Sequence, residues 1–97
     1  MTYCVYLLIS CHKRRVFSYV GYTKNLKNRL NLHNISQGAK YTKGKKWIVF
    51  HKEIYNSKSK ALSREYELKK DRKLRNFLRE KFKKIGKKNV LYKNRLQ

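Results

Sequence analysis

Short apolar runs alternate with basic stretches along the chain, and the first two runs predict a hairpin. Residues 3–11, YCVYLLISC, are aromatic, aliphatic and β-branched, which is typical of a buried strand. Residues 16–23 predict a second strand, in which Gly21 marks a place where another group can approach the backbone closely. The basic connection at residues 12–15 suits an antiparallel hairpin, although it lacks the Asn-Gly signal of a tight turn.

A helical period begins after the second strand. Asn25 predicts the N-cap of a helix over residues 26–35. Four residues share one face of that helix: Leu26, Arg29, Leu30 and His33. A loop with two glycines and four lysines follows at residues 36–46, and residues 47–55, WIVFHKEIY, predict a third strand.

The last part of the chain predicts two more helices. Asn56 or Ser57 caps the first of them, and one of its faces combines a carboxylate with apolar positions: Ala61, Leu62, Glu65 and Leu68. The second follows the apolar positions Leu74, Phe77, Leu78, Phe82 and Ile85 and ends at Gly86, a typical helix stop.

The element order β-β-α-β-α-α predicts an α+β fold. We expect a small central antiparallel three-stranded sheet flanked by helices. The predicted domain covers residues 1–86, and residues 87–97 form a basic C-terminal extension.

Charge narrows the possible partners. The chain of 97 residues carries 27 Lys and Arg against 5 Asp and Glu, a net charge of +22, which attracts polyanions such as nucleic acid. A membrane surface also attracts cations, but no basic segment carries the broad apolar face that inserts into lipid. The N-terminal apolar run is too short for a signal peptide or a membrane span. Cys4 and Cys11 form neither a zinc motif nor a disulfide framework, so we expect an intracellular location.

Few residues can carry chemistry, because the chain offers only five carboxylates. We therefore do not expect a two-metal carboxylate cluster, while a single metal held by Glu65 stays open. Glu65 also fits a buried ion pair with Arg29. Arg29 itself fits an outward-pointing surface cation, and His33 fits an ordinary buried histidine.

In combination these residues resemble the GIY-YIG endonuclease superfamily. Val5-Tyr6 stands in the GIY position and Tyr19-Val20-Gly21 in the YIG position. YVGYTKNLKNRLNLH is similar to the segment that follows the second motif in excision-repair and structure-specific nucleases. GAKYT and ALSREYELKK resemble compact single-domain members. Cys4 replaces the first glycine of the pattern, and Asn76 and Asn89 are both candidates for its late asparagine.

The resemblance implies metal-dependent hydrolysis of a phosphodiester in duplex or branched DNA. Glu65 would hold Mg²⁺ or Mn²⁺, and Arg29 would contact the phosphate oxygens. Tyr6 is the preferred general base and Tyr19 the alternative, provided that nearby cations favour the phenolate. His33 would orient water or bond to phosphate. Five residues would contact the DNA: Lys24, Lys40, Tyr41, Lys43 and Lys45.

Two other functions fit the charge. A non-catalytic basic nucleic-acid-binding protein has the same size and pI, but it does not need Tyr6, Tyr19, Arg29, His33 and Glu65 in this order. A membrane-surface protein is supported by charge alone. The sequence predicts neither a membrane partner nor a small-molecule cofactor.

Overall fold

The structure is a computed structural model that describes residues 1–88. It contains the strands β1 (Tyr3–His12), β2 (Arg15–Thr23) and β3 (Ile48–Tyr55) and the helices α1 (Leu26–Asn34), α2 (Lys58–Lys70) and α3 (Arg72–Lys88). A short 3-10 turn, Lys40–Thr42, interrupts the loop before β3. The predicted α+β order β-β-α-β-α-α is confirmed. Asn89 and the rest of the predicted basic extension lie outside the described residues.

The three strands form one antiparallel sheet in the order β2-β1-β3. Tyr6 in the central strand lies opposite Gly21 on one side and Lys52 on the other. The hairpin between β1 and β2 turns at Lys13 and Arg14, whose φ angles are 51° and 67°. Two positive φ angles are typical of the tight turn that Asn-Gly usually makes. The predicted hairpin is therefore confirmed, while its turn uses residues that carry no turn signal.

Alternate residues of β1 face two separate cores, because successive side chains in a strand point to opposite sides of the sheet. Val5, Leu7 and Ile9 join the core beneath α2 and α3. Cys4, Tyr6 and Leu8 join a second core, which contains Trp47 and is flanked by leucines of α1. Both faces of this strand are buried, which explains its continuous apolar run.

The helix caps follow the sequence, and the helix faces follow it in part. Asn25 caps α1, and Ser57 caps α2 in place of the alternative Asn56. Leu62 is 41% exposed, so its predicted position on the buried face of α2 is wrong. Ala61 and Leu68, which are seven residues apart, form that face instead.

The predicted helix stop at Gly86 is also wrong, because α3 continues to Lys88. A single glycine costs a helix only about 1 kcal/mol relative to alanine, which burial of Leu78 and Phe82 outweighs. Phe77 is 61% exposed, so the buried stripe of α3 is narrower than its apolar period. Within the described residues, every helix is too short or too polar to cross a membrane.

Candidate active site

Tyr6 and His33 form the centre of the site. Both are buried, and the Tyr6 hydroxyl lies 2.9 Å from Nε2 of His33. Tyr6 comes from the central strand β1, and His33 comes from the last turn of α1. The face shared by Leu26, Leu30 and His33 therefore turns inward, as its periodicity predicts.

The hydrogen bonds around His33 define its tautomer. Its Nδ1 lies 2.9 Å from Oγ1 of Thr42, and this hydroxyl donates its proton to the carbonyl of Ala39. Since a hydroxyl has one proton to give, Nδ1 of His33 must donate and Nε2 must accept. The Tyr6 hydroxyl is then the donor to Nε2.

Two glycines leave room for this ring pair. A side chain at Gly21 would place its Cβ 2.3 Å from the Tyr6 hydroxyl oxygen. A side chain at Gly38 would place its Cβ 2.4 Å from Nδ1 of His33. Real Cβ atoms do not come this close to other atoms, so both positions need glycine for close approach rather than for backbone conformation. The predicted close approach at Gly21 is confirmed.

The loop before β3 is held against the site by hydrogen bonds of Trp47. Trp47 donates its indole N–H to the carbonyl of Thr42 at 3.0 Å. Asn34 at the end of α1 bonds to both the backbone N–H and the carbonyl of Trp47, at 2.6 and 3.1 Å. These bonds hold the short turn that presents Thr42 to His33.

Aromatic rings extend from the ring pair toward solvent. The Tyr19 ring lies edge-on to His33, with ring centres 5.1 Å apart. Tyr41 stacks on Tyr19 at 6.1 Å and is half exposed. Tyr19 thus connects the buried pair with the surface of the loop.

Burial and charge set the protonation of the site. Burial raises the pKa of Tyr6 to about 12, and the neighbouring Arg29 only partly opposes the increase. The charge of Arg29 alone therefore leaves the neutral phenol favoured. Burial also lowers the pKa of His33, and the charge of Arg29 lowers it further. At neutral pH the ring pair is uncharged and carries one transferable proton.

Glu65 lies on α2, close enough to Tyr6 for its negative charge to add to the increase in the pKa of that phenol. Its carboxylate is largely shielded, with 21% side-chain exposure, and its ion pair is with Lys69 at 3.8 Å. Among the described residues no ion pair joins Glu65 to Arg29. The alternative of a buried Glu65–Arg29 pair is therefore not the arrangement of this molecule.

The donor set suits a sparsely coordinated cation. Within residues 1–88, no three His, Cys, Asp or Glu side chains lie close enough to enclose a metal ion. Mg²⁺ commonly binds through one or two carboxylates and completes its shell with water and substrate phosphate. Glu65 fits this kind of site, since its distant contact with the half-exposed Lys69 leaves the carboxylate free to bind.

The residues predicted to bind nucleic acid do not form one group. Lys45 is near the aromatic rings, with Nζ 5.4 Å from the Tyr41 ring centre and 5.0 Å from that of Phe17. Lys40 and Lys43 are exposed on the same loop. Lys24 instead lies over the Tyr3 ring, at 5.9 Å.

A second polar cluster anchors the helix that carries Glu65. Arg64 on α2 binds Glu53 on β3 with two hydrogen bonds of 2.8 and 3.1 Å. His51 and Tyr55 bind the same carboxylate. These partners, Arg64 above all, lower the pKa of Glu53 to about 2. Because Arg64 precedes Glu65, this cluster fixes the rotation of α2 beside the site.

Sequence reasoning missed Thr42, Gly38 and the Glu53–Arg64 pair. Thr42 and Gly38 belong to the segment GAKYT, which supports the family resemblance but does not by itself indicate a role for either residue. Glu53 alternates with exposed residues along β3, so its partner on a distant helix left no local signal.

The chain matches the GIY-YIG catalytic domain over residues 2–83, which confirms the superfamily resemblance. A UPF0213 protein of Staphylococcus haemolyticus is 48% identical over 52 residues, which are 53% of this chain and 63% of that protein. UPF0213 proteins of Staphylococcus aureus strains Mu50 and N315 match to the same extent. The chain thus spans under two thirds of these relatives, and no solved structure matches it. Because the domain match covers most of its length, the chain belongs to the GIY-YIG catalytic-domain family.

Proposed function

We propose that the protein is a divalent-metal-dependent endonuclease that hydrolyses phosphodiester bonds in DNA. Membership of a nuclease family indicates a nucleic-acid substrate. The observation that carries the catalytic proposal is the hydrogen bond between the Tyr6 hydroxyl and Nε2 of a neutral His33. A protein that only binds DNA has no need for a buried proton donor and acceptor aligned beside Arg29.

Tyr6 acts as the general base without becoming a phenolate. As water attacks phosphorus, its proton passes to the Tyr6 oxygen while the Tyr6 proton passes to Nε2 of His33. The bond between phosphorus and the 3′ oxygen then breaks, and this oxygen leaves as an alkoxide that takes a proton from solvent. Thr42 keeps His33 in the accepting tautomer through Nδ1. His33 therefore acts through Tyr6, in place of the direct contact with water or phosphate that the resemblance implies.

Arg29 and Glu65 provide the charges that the reaction requires. The guanidinium of Arg29 is suited to two non-bridging oxygens of the scissile phosphate. Glu65 would hold a cation such as Mg²⁺ or Mn²⁺, which would neutralise charge at the phosphate and the leaving oxygen. Tyr19, in edge contact with His33, is the alternative base and packs the ring that receives the proton.

The kind of substrate contact is inferred from the charge of the chain. A net charge of +22 supports binding along the phosphate backbone, with contacts from Lys24, Lys40, Lys43 and Lys45 and from Tyr41. Such contacts position DNA without reading its bases. We therefore expect cleavage that is structure-selective or weakly sequence-specific, in DNA repair, recombination or processing.

Supercoiled plasmid and branched DNA test the proposal directly. The purified chain is incubated with each DNA in Mg²⁺, in Mn²⁺ and in EDTA, and products are resolved on gels. Nicking or branch cleavage that requires the metal supports the enzyme. Binding with no cleavage in either metal would overturn it in favour of the non-catalytic nucleic-acid-binding protein.

A further inference from the structure

A cationic pocket opens beside the candidate active site. It has a volume of about 280 Å³ and is lined by Ser18, Tyr19, Val20, Tyr41, Lys69 and Arg75. Ser18 and Val20 pair with residues of the α2 and α3 core, whereas Tyr19 belongs to the α1 face. The pocket therefore lies at the outer edge of β2, where the two sides of the sheet meet.

Arg75 is the unusual member of this pocket. Its Nε is buried and has no hydrogen-bond partner among the described residues. The nearest acidic residue in sequence, Asp71, uses its carboxylate to accept from the backbone N–H of Leu74. Across residues 1–88 no carboxylate forms an ion pair with Arg75. A buried guanidinium donor without an acceptor is costly, so it points to an anionic ligand.

Two lining residues connect the pocket with the proposed chemistry. Tyr19 lines the pocket and also contacts the His33 ring. Lys69 lines the pocket and lies 3.8 Å from the Glu65 carboxylate. A ligand in the pocket is thus a close neighbour of the scissile phosphate, which belongs between Arg29 and Glu65.

We infer that this pocket binds a second phosphodiester of the substrate strand, next to the one that is cut. Arg75 and Lys69 bind its oxygens, and the half-exposed Tyr41 packs against the sugar or base attached to it. The two cationic side chains that line the pocket suit the negative charge of a phosphodiester. The inference rests on the proposed nuclease function. It adds that the DNA strand must extend past the scissile bond and carry a charged phosphodiester there.

Neutral methylphosphonate linkages test the subsite. DNA strands are prepared with one neutral linkage at a known place, and the positions of cleavage are mapped. For the unaltered chain we expect cleavage to fall about tenfold at one fixed distance from the neutral linkage, in addition to the linkage itself. Arg75→Gln cleaves more slowly overall and loses this fixed-distance effect, because the contact is already missing.

Lys73→Gln is the matched control, since it removes one exposed cation from the same helix outside the pocket. It should keep the fixed-distance effect in full. Cleavage by Arg75→Gln with an unchanged fixed-distance effect would overturn the subsite and leave the nuclease proposal standing. Absence of any cleavage by the unaltered chain would overturn the nuclease proposal itself.

The melting temperature of Arg75→Met separates binding from structure. If Arg75 is kept for a ligand, replacing it with an apolar side chain of similar length should leave the melting temperature of the free protein unchanged or higher. The same variant should also lose the fixed-distance effect. A clear fall in melting temperature would show that Arg75 serves the fold, and the inference would be withdrawn.

Discussion

The two faces of strand β1 differ in how they tolerate polarity. On the α2 and α3 face, Val5, Leu7 and Ile9 meet aliphatic and aromatic side chains. On the α1 face, the buried Tyr6 hydroxyl meets a hydrogen-bonded chain through His33 and Thr42 to the carbonyl of Ala39. The first face stabilises the sheet by burial of apolar side chains, whereas the second buries the Tyr6 hydroxyl, the His33 ring and the Thr42 hydroxyl, each of which has a hydrogen-bond partner.

This contrast shows that adjacent residues of one strand can serve different purposes, one for stability and the other for the proposed chemistry. Leu7 and Tyr6 are neighbours in one strand and are both buried. Burial of Leu7 contributes apolar contact, and burial of Tyr6 shifts a proton equilibrium. Variants of the two faces should therefore fail in different ways.

The largest expected effect is on catalysis at Glu65. Glu65→Gln keeps the shape of the side chain and removes the charge proposed to hold the cation, so cleavage should be lost. Because its contact with the half-exposed Lys69 is long, at 3.8 Å, the melting temperature should hardly change. DNA affinity should persist or increase, since one repulsive carboxylate is gone.

Glu67→Gln is the control for Glu65, because Glu67 is an exposed glutamate on the same helix. It should cleave at the normal rate. Melting temperature, DNA affinity and nicking rate need to be measured together. A Glu65→Gln protein that is unfolded, or one that cleaves normally, would remove Glu65 from the site.

Substitutions at Tyr6 and Leu7 test the two faces side by side. Tyr6→Phe should lower the cleavage rate by about 10²-fold or more while the protein stays folded. Leu7→Ala should lower the free energy of unfolding by about 2–5 kcal/mol, with a normal rate for the fraction that remains folded. Denaturant titration and single-turnover cleavage separate these outcomes. If Tyr6→Phe is active and Tyr19→Phe is not, the two tyrosines exchange roles.

Acid should weaken the cluster that anchors α2. The pKa of Glu53 is lowered to about 2 from an ordinary value of 4.5, so its contribution to stability is present above the ordinary value. As pH falls from about 5 toward 2, we expect up to about 3 kcal/mol of that stability to be lost. Unfolding curves at several pH values should show this loss, and Glu53→Gln should be less stable at neutral pH and show a flatter acid dependence.

The smallest expected effect on the cleavage rate comes from Thr42, which contacts His33 and not Tyr6 itself. Thr42→Val keeps the shape and removes the acceptor for Nδ1 of His33, so the accepting tautomer is no longer fixed. The cleavage rate should fall by about tenfold, the equivalent of one hydrogen bond. Thr23→Val is a control, because Thr23 makes only exposed bonds near the start of α1.

A pH profile checks the same assignment. In the proposed mechanism His33 accepts a proton from Tyr6 only while it is neutral, and burial lowers the pKa of His33 below the ordinary histidine value of 6.5. Cleavage should therefore persist as pH falls to 6.5 and should decline only at lower pH. A rate that already declines above pH 6.5 would contradict a neutral, buried His33 as acceptor.

The sequence predicted the strands and helix starts because their signals are local. Strand composition, the Asn25 cap and the inward period of α1 each depend on residues within a few positions. The α2 face and the end of α3 were less predictable, since tertiary burial of Ala61, Leu68 and Phe82 decides them. Within the site, the order of motifs identified Tyr6, Tyr19, Arg29, His33 and Glu65 as candidates, and their roles stay predictions. Contacts between distant segments, such as Glu53 with Arg64, have no local pattern from which to predict them.

The hairpin turn at Lys13 and Arg14 is a place where the stability of the fold can be increased far from the site. Left-handed backbone costs a residue with a side chain about 1 kcal/mol, and Asn and Gly tolerate it far better. The turn lies next to the pair His12–Arg15, at the opposite end of the ladder from Tyr6 and Gly21. The double substitution Lys13→Asn and Arg14→Gly should therefore raise the melting temperature and leave the active-site residues unchanged. Destabilising active-site variants can then be studied in this background while the protein stays folded.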